Sequence, residues 1–325
     1  MNIIFVTGSD AAFFNSMLVG LQSFAERMPG QRLLVCDFGF DGAQAGFLRG
    51  LDVLLERPPM LASEGAFHCK AALLAYLRHN GQQIGPDDVV VWLDADLTLM
   101  DVGVADFAAV LTAMVSAGVD IAVCPEPLGR SFGQLLSGTH ASAMAPSARI
   151  AAQPGMDSAL PYVSSGLFFC RSAAFMTRWQ ELTQGKAYHP LFEQNMFNVA
   201  LHEKRSAFVA LDCEEWQAQG PSLDRIKLIP AVNGGRLAAL VGDKNIKTLH
   251  TTSGAPGHLL IGNCRMTVRD IDLAGPFKLF LAEALRLHQL QLLARFLADH
   301  REALLRLGIC RRAARPADGF EFVTL

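Results

Sequence analysis

Apolar runs of strand length alternate with segments of helical periodicity along the N-terminal third of the chain. The runs are rich in β-branched residues and are bounded by Gly, Pro or Asp, which is typical of strands buried on both faces. Between them, apolar side chains recur every three or four positions, which predicts amphipathic helices. The predicted strands cover residues 3–6, 33–36, 51–55, 89–93 and 119–124, and the predicted helices cover 12–27, 67–78 and 104–116. Repeated strand–helix units predict an α/β fold with a mostly parallel sheet flanked by helices.

The pattern changes after residue 125. Residues 126–161 are rich in Gly, Ser, Ala and Pro, which indicates either a functional lid or acceptor-binding loop, or a disordered insertion. An apolar stripe predicts one long or broken helix over residues 277–307. The remaining predicted strands cover 163–170, 208–211 and 246–249, and the remaining helices 173–182 and 191–203. We therefore expect a main domain over residues 1–270 and a C-terminal helical extension and tail over 271–325.

Composition narrows the class of protein. Hydrophobic residues make up 51% of the 325 residues and charged residues 18%, which suits a folded, enzyme-sized body. The formal net charge of −3 gives no overall positive field, so nucleic acid is not an expected partner. Seven scattered cysteines without a Cys-x-x-Cys motif favour a reducing compartment. The N-terminus has the pattern of a first strand rather than of a signal peptide, and we expect a cytoplasmic protein.

An acidic pair follows the predicted strand at 89–93. Asp94 and Asp96 stand two positions apart, so on an extended chain their carboxylates point the same way. In open α/β sheets the C-terminal ends of the strands are where ligands bind. Hard oxygen donors at such an end suit Mg²⁺ or Mn²⁺, completed by substrate phosphates. The alternative is a solvated acidic turn.

Three further motifs follow the acidic pair. A Ser-Ser-Gly sequence with apolar residues after it begins at Ser164, Glu193 and Gln194 open the predicted helix at 191–203, and His250 follows the strand predicted at 246–249. With this order of motifs the chain resembles GT-A-fold glycosyltransferases. Its pattern is most similar to the retaining family of glycogenin and bacterial lipopolysaccharide galactosyltransferases, and the resemblance runs from the first predicted strand to just beyond His250.

The resemblance implies a GT-A (Rossmann-like) fold and transfer of a sugar, with retention of configuration, from a nucleotide-diphosphosugar such as a UDP-sugar. The acceptor would be a glycan, a lipid-linked molecule or a protein. A metal ion, Mn²⁺ or Mg²⁺, would be held by Asp94, Asp96 and His250 and would bridge the diphosphate. Gln194 would lie beneath the anomeric carbon, and Glu193 would orient hydroxyl groups of the donor sugar. Contacts with the donor are implied for Thr7, Asp10, Lys70, Asp94, Ser165 and Gly166.

One part of the family pattern is missing. A Gly-x-x-Lys-Pro-Trp segment usually follows the family's histidine, but residues 251–258 contain no lysine. The phosphate contact of that lysine is therefore absent or comes from Lys244, Lys247 or His258. Its absence leaves the retaining mechanism and the exact family open.

Two other interpretations remain open on the sequence. The Asp94-Ala95-Asp96 run also resembles the signature of haloacid-dehalogenase-like phosphatases, whose first aspartate is a nucleophile and whose second is a general acid. Asp243 faintly resembles their later acidic motif, but three predicted strands precede Asp94, whereas that nucleophile normally ends the first strand of its core. The other interpretation is a GT-A-like domain that binds sugar nucleotides or glycans without turnover.

Basic residues become more frequent near the C-terminus. They predict either a peripheral contact with the inner face of a membrane, where a lipid-linked acceptor would reside, or an ordinary solvated helix face. The arginines concerned are Arg295, Arg301, Arg306, Arg311, Arg312 and Arg315.

Overall fold

The computed structural model describes residues 2–127, 129–136, 159–186, 192–203, 207–230, 237–251, 258–261 and 264–324. Most of the predicted insertion at 126–161 and the segment directly after Thr251 lie outside the described residues. Within the part of the chain that is described, no helix is both long and apolar enough to cross a membrane.

Helices and strands alternate through the first half of the chain. The described helices are α1 (Phe14–Arg27), α2 (Gly42–Gly50), α3 (Ala66–Ala71), α4 (Leu73–His79), α5 (Val104–Ala117), α6 (Phe132–Leu136), α7 (Ala173–Thr183), α8 (Phe192–Glu203), α9 (Cys213–Trp216), α10 (Glu283–Asp299) and α11 (Arg301–Arg306). The described strands are β1 (Ile3–Ser9), β2 (Leu33–Asp37), β3 (Leu54–Leu55), β4 (Val89–Leu93), β5 (Leu97–Leu99), β6 (Ile121–Pro125), β7 (Val163–Cys170), β8 (Val209–Ala210), β9 (Lys227–Pro230), β10 (Leu237–Val241), β11 (Lys244–Ile246), β12 (Thr248–His250), β13 (His258–Ile261), β14 (Cys264–Val268), β15 (Ile271–Ala274), β16 (Phe277–Phe280), β17 (Arg311–Arg312) and β18 (Phe320–Thr324).

A seven-stranded sheet in the order β3-β2-β1-β4-β7-β6-β8 forms the centre of the fold. The pairs β3–β2, β2–β1, β1–β4 and β6–β8 are parallel. Only β7 runs against its neighbours, because it pairs antiparallel with both β4 and β6. The predicted α/β fold with a mostly parallel sheet is confirmed.

The central strand β4 is buried on both faces, as its continuous apolar run predicts. Val91 and Leu93 point into a core shared with side chains of α1 and α5, whereas Val90 and Trp92 point into a second core shared with α4, α7 and α8. All four side chains are at most 2% exposed. Full burial stabilises such a side chain by about 2 kcal/mol, so β4 is a rigid support for whatever follows it.

Small antiparallel sheets join the large sheet at the carboxyl end of β4. There β5 pairs with β12, and β13 pairs with β16. The strands β9 to β11 form a three-stranded sheet, and β14, β15, β17 and β18 form a four-stranded one. The β5–β12 pairing brings residues near position 250 to the end of the central strand, and the N–H of Lys278 donates to the Ser16 hydroxyl at 3.1 Å, which holds β16 against α1.

The helix predicted over 277–307 is wrong in its first part. Phe277 and Leu279 are buried side chains of strand β16, and helix begins only at Glu283. The apolar residues here fit both a period of two and a period of four, and the pairing of β16 with β13 decides for the strand. Of the two alternatives, a long or a broken helix, the structure shows the broken one, with α10 and α11 separated at His300.

The C-terminal segment is also less helical than predicted. Strands β15 to β18 lie within residues 271–325, and β14 pairs with β15 and β18 across the predicted boundary at residue 270. The division of the chain at that point stays a prediction.

Other, smaller elements also differ from the sequence prediction. The helix α2 was not predicted, although Asp41 and Gln44 form a capping box at its start. The strand predicted over 51–55 is reduced to β3, and the strand predicted over 246–249 is divided at Lys247 into β11 and β12.

Candidate metal and substrate site

Three residues predicted as metal ligands meet at the carboxyl end of β4. Asp94 directly follows that strand, Asp96 precedes β5, and His250 ends β12. The Nε2 atom of His250 lies 3.1 Å from Oδ1 of Asp96, which is 154 residues away, and 3.7 Å from Oδ2 of Asp94. One ligand atom from each residue can be chosen so that all three lie within 4.8 Å of one another.

Hydrogen bonds hold both aspartates in place. The N–H of Asp94 donates to the carbonyl of Gly166 in β7 at 2.8 Å, which continues the β4–β7 pairing beyond the strand. The N–H and the hydroxyl of Thr251 both donate to the carbonyl of Asp96, at 3.1 and 2.9 Å. The indole N–H of Trp92 donates to Oδ1 of Asp94 at 2.6 Å. The two carboxylates are therefore oriented by the fold itself.

His250 is fixed by chain segments on both sides of β12. On one side, β12 pairs with β5 and places His250 opposite Leu97. On the other side, the His250 N–H donates to the carbonyl of Ala218 at 2.9 Å. The imidazole is buried, and its Nδ1 atom lies 2.8 Å from Nε2 of Gln217. With Nδ1 turned to Gln217, the Nε2 edge faces the aspartates.

Two buried lysines balance the charge of the carboxylates. The Nζ atom of Lys70 lies 2.8 Å from Oδ1 of Asp94, and Nζ of Lys278 forms an ion pair with Oδ2 of Asp96. Each lysine is only 4% exposed, so an unpaired ammonium group at either position would be strongly destabilising. Burial acts to raise the pKa of Asp96, but Lys278 and His250 outweigh it and hold that pKa well below its ordinary range. Asp96 is therefore an ionised carboxylate.

The donor set fits a divalent metal ion. The lysines take one oxygen of each aspartate and leave the other, Oδ2 of Asp94 and Oδ1 of Asp96, turned toward Nε2 of His250. Two carboxylate oxygens and one imidazole nitrogen suit Mn²⁺, and Mg²⁺ less well because it prefers oxygen alone.

The start of α8 reaches the same site through Ser165. The Ser165 hydroxyl accepts from Nζ of Lys70 at 3.1 Å and lies 3.1 Å from Oε1 of Glu193. Oε1 of Gln194 accepts from the Ser165 N–H at 3.0 Å, and its Nε2 donates to the Tyr162 hydroxyl at 3.1 Å. The structure thus places Glu193 beside Lys70, with 3.5 Å between Nζ and Oε1, and holds the Gln194 amide at both ends by Ser165 and Tyr162.

The pKa of Glu193 gives a stability prediction. Burial raises this pKa to about 7 from its ordinary value of 4.5, with Lys70 opposing the shift and Asp94 adding to it. Since the folded pKa is the higher one, the stability contributed by the protonated form is full below about pH 4.5 and is lost as the pH rises through about 7. Gln cannot ionise, so the free energy of unfolding of Glu193→Gln minus that of the wild type should grow by about 3 kcal/mol as the pH rises from 4.5 to 8. Urea unfolding of both proteins in EDTA measures this, and a difference that does not change with pH would contradict it.

Gly166 is the point where β7 comes closest to the ligand set. A Cβ atom added here would lie 2.8 Å from Cε1 of His250, 3.1 Å from Oδ2 of Asp94 and closer still to Nε2 of Gln217. A side chain at this position would displace at least one of these groups. The glycine is therefore needed for the packing of the site itself, whereas its predicted contact with a donor sugar stays a prediction.

Thr7 and Asp10 lie one strand away from the ligand set. Thr7 is buried on β1 and lines a small cavity together with Asp94. Among the described residues, its Oγ1 atom has no hydrogen-bond partner. The carboxylate of Asp10 accepts from the N–H of Phe13 at 3.1 Å, which stabilises the loop leading into α1. The donor contacts predicted for Thr7 and Asp10 stay predictions.

Lys278 and Gln217 belong to the site but were not found by sequence reasoning. The three residues that the sequence analysis named as sources of the missing phosphate contact are not seen at the site in the described part of the chain. Lys244 and Lys247 form ion pairs with carboxylates of neighbouring segments, and the side chain of His258 lies outside the described residues. A single charge within an otherwise apolar run is a signal that could have pointed to Lys278. No pattern in the sequence points to Gln217.

The phosphatase interpretation loses its second acidic motif. Asp243 lies at the exposed turn between β10 and β11, which belong to a separate antiparallel sheet. The cluster of possible metal ligands in the described structure contains His250 with Asp94 and Asp96, and not Asp243.

Comparison with known proteins gives structural likeness only. No protein-family model matches the chain, and a search of curated proteins found no match. Among solved structures, the chain is similar to the bifunctional glycosyltransferase WbbM in its apo form, with 10% identity and a TM-score of 0.49 over 78% of this chain and 46% of that chain. It is also similar to the galactosyltransferase LgtC in complex with donor and acceptor sugar analogues, with 16% identity and a TM-score of 0.45 over 79% of this chain and 88% of that chain. An active-site mutant of LgtC gives 13% identity and the same TM-score of 0.45 over 79% and 91%.

These similar structures are glycosyltransferases. The chain spans less than half the length of WbbM. Identities and TM-scores this low do not indicate an activity, so the function has to be argued from the site.

Proposed function

We propose that the chain is a metal-dependent glycosyltransferase that takes a sugar from a nucleotide-diphosphosugar, with a UDP-sugar as the expected donor. One observation carries the proposal: Asp94 and Asp96 each keep one carboxylate oxygen turned toward the imidazole of His250 while a lysine holds the other. Such a set holds Mn²⁺ through few protein ligands and leaves positions for phosphate oxygens. It lies at the carboxyl end of the central strand, where α/β sheets bind ligands.

Positive charge around the set suits a diphosphate. A divalent ion held by these residues would supply Lewis-acid stabilisation of the charge that grows on the departing nucleoside diphosphate. The ammonium groups of Lys70 and Lys278 lie directly beside the carboxylates and would act as further point charges for phosphate oxygens. Lys278 thereby takes the place of the lysine that the resemblance expects after His250.

The start of α8 suits the sugar end of the donor. The Gln194 amide is held by Ser165 and Tyr162, so it is oriented before any substrate binds. For transfer with retention, its oxygen would stabilise positive charge at the anomeric carbon. Glu193, hydrogen-bonded to Ser165, would orient hydroxyl groups of the sugar.

The dual role of Lys278 gives a prediction with opposite signs. Lys278→Met removes a cation that repels a metal ion at Asp96, so Mn²⁺ alone should bind about 10-fold more tightly, whereas UDP at saturating Mn²⁺ should bind about 10-fold more weakly. Isothermal titration calorimetry measures both affinities. The matched control is Lys247→Met, because Lys247 pairs with Asp106 outside the ligand set. A fall in both affinities, or no change in either, would contradict this role of Lys278.

Thermal unfolding with nucleotides and nucleotide-sugars, with and without Mn²⁺, tests the proposed function. A ligand at one hundred times its dissociation constant adds about 2.7 kcal/mol of stability. We expect the melting temperature to rise with a uridine diphosphate compound only when Mn²⁺ is present. Stabilisation by inorganic phosphate and release of phosphate from esters would instead support the phosphatase interpretation. Binding of a UDP-sugar without transfer or hydrolysis would support a domain that binds without turnover.

The location and the acceptor are also part of the proposal. We propose a cytoplasmic protein whose acceptor is a glycan, a lipid-linked molecule or a protein. The basic C-terminal region provides limited support for a membrane contact, because most of its arginines form ion pairs with carboxylates. The paired residues are Arg295, Arg301, Arg311 and Arg312.

A further inference from the structure

Gln217 is a fully buried residue whose amide touches the imidazole of His250. Its Nε2 atom lies 2.8 Å from Nδ1 of His250 and 2.9 Å from the hydroxyl oxygen of Ser164. Its Oε1 atom is buried and, among the described residues, has no hydrogen-bond partner. A buried amide with one satisfied end and one unsatisfied end is unusual, because a missing hydrogen bond in the interior is costly.

The backbone around Gln217 is tied to the strand that carries His250. The N–H of Ala218 donates to the carbonyl of Thr248 at 3.0 Å, and the N–H of Lys247 donates to the carbonyl of Glu215 at 2.7 Å. These bonds fix the main chain of Gln217 relative to His250. The side-chain amide is then the group that can turn.

The two orientations of this amide correspond to the two neutral tautomers of His250. With NH₂ toward Nδ1, that nitrogen accepts, and the ring proton is on Nε2, where it can donate to the nearby Oδ1 of Asp96. With Oε1 toward Nδ1, the proton is on Nδ1 and Nε2 presents a lone pair to Asp94 and Asp96 instead. A histidine that binds a metal through Nε2 requires the second arrangement, because the other ring nitrogen then donates to an oxygen acceptor.

We propose that Gln217 is a positioning residue that selects the metal-binding tautomer of His250. This inference rests on the proposed function. When a divalent ion binds, the amide turns so that Oε1 accepts from Nδ1–H. The ring would release the Nε2 proton to solvent water and take up one proton from solvent water on Nδ1, so its charge does not change. In this orientation the Ser164 hydroxyl can donate to Oε1 as well, while its oxygen accepts from the N–H of Gly166 at 3.3 Å.

The packing at Gly166 supports the same role. A Cβ at that position would collide with both Gln217 and His250, so β7 leaves just enough room for the amide and the ring to lie side by side. A glutamine that only filled space would not require hydrogen-bonding atoms there.

Two substitutions separate a positioning role from a packing role. Gln217→Met keeps the length of the side chain but offers no acceptor of comparable strength, and it should weaken Mn²⁺ binding about 10- to 100-fold. Gln217→Glu supplies a carboxylate that accepts from Nδ1–H, and it should keep wild-type affinity or exceed it. Gln22→Met is the matched control, because Gln22 is also buried but bonds to Glu26 on α1. Calorimetry with Mn²⁺ alone gives the affinities, and thermal unfolding verifies that each variant is folded.

Nitrogen-15 NMR of histidine-labelled protein reads the tautomer directly. Zn²⁺ is the probe, because it is diamagnetic and binds imidazole nitrogen, and a His250→Gln sample assigns the signal. We expect the proton on Nε2 without the ion and on Nδ1 with it, and no such exchange in Gln217→Met.

Wild-type Mn²⁺ affinity in Gln217→Met, equal losses in Gln217→Met and Gln217→Glu, or a proton that stays on Nε2 with Zn²⁺ bound would overturn the role of Gln217 while leaving the proposed function intact. A wild-type protein that binds no divalent ion, with or without UDP, would overturn both.

Discussion

Replacing Asp96 by Asn should abolish Mn²⁺-dependent nucleotide binding and destabilise the fold at the same time. The metal set loses a carboxylate ligand. Loss of a residue that only supports a ligand typically lowers metal affinity about 10- to 100-fold, so loss of the ligand itself should lower Mn²⁺ affinity by more than about 100-fold. Lys278, only 4% exposed, loses its anionic partner, and an uncompensated buried charge should lower the free energy of unfolding by about 3 kcal/mol. Mn²⁺ titration calorimetry and urea unfolding measure the two effects.

The double variant Asp96→Asn with Lys278→Met separates the two effects. Removing the lysine as well takes away the unpaired charge, so most of the lost stability should return, because the two residues form one ion pair. Mn²⁺ affinity should stay well below that of the wild type, because the carboxylate ligand is still missing. Wild-type Mn²⁺ affinity in the double variant or in Asp96→Asn would contradict the assignment of Asp96 as a ligand.

Replacing Gly166 by Ala should have a comparably large effect without changing any charge. The added methyl group would displace His250, Asp94 or Gln217. Because this moves a metal ligand or the residue that supports it, Mn²⁺ affinity should fall by at least about 100-fold. Overpacking of this kind should also lower the free energy of unfolding by about 2 kcal/mol. Mn²⁺ titration calorimetry with urea unfolding checks both numbers.

Gly46→Ala is the matched control for Gly166. Among the described residues, an added Cβ at Gly46, in the interior of α2, meets Leu307 alone, at an ordinary 3.8 Å. There the substitution should stabilise the protein by about 0.5 kcal/mol, because Ala loses less conformational freedom on folding. Unchanged Mn²⁺ affinity in Gly166→Ala would mean that the ligand set tolerates a shift of β7.

Elements with a clear apolar pattern, either periodic or continuous, could be predicted from the sequence. β4 is such a case, because burial on both faces demands a continuous apolar run wherever a parallel sheet is covered by helices. The strand β16 could not be predicted, because its apolar residues also fit a helical period and its partner β13 is known only from the fold. The helix α2 was missed because it is short and rich in Gly, although its capping box was visible at Asp41 and Gln44.

The candidate site shows the same division. Asp94 and Asp96 could be found because they are neighbours in sequence at the end of a strand, and His250 because it stands in a recognisable order of motifs. Lys278 reaches the site because β16 is held against α1 through Ser16, and Gln217 because Ala218 pairs with β12. No local pattern encodes either contact. What these residues do chemically stays a prediction.

A crystal of the protein grown with Mn²⁺ and UDP tests the central claim most directly, through the anomalous scattering of manganese. We predict one anomalous peak among Asp94, Asp96 and His250, with the diphosphate on the side of the ion away from the protein ligands and with Lys278 turned toward a phosphate oxygen. No manganese at these three residues, or UDP bound elsewhere on the molecule, would contradict the account.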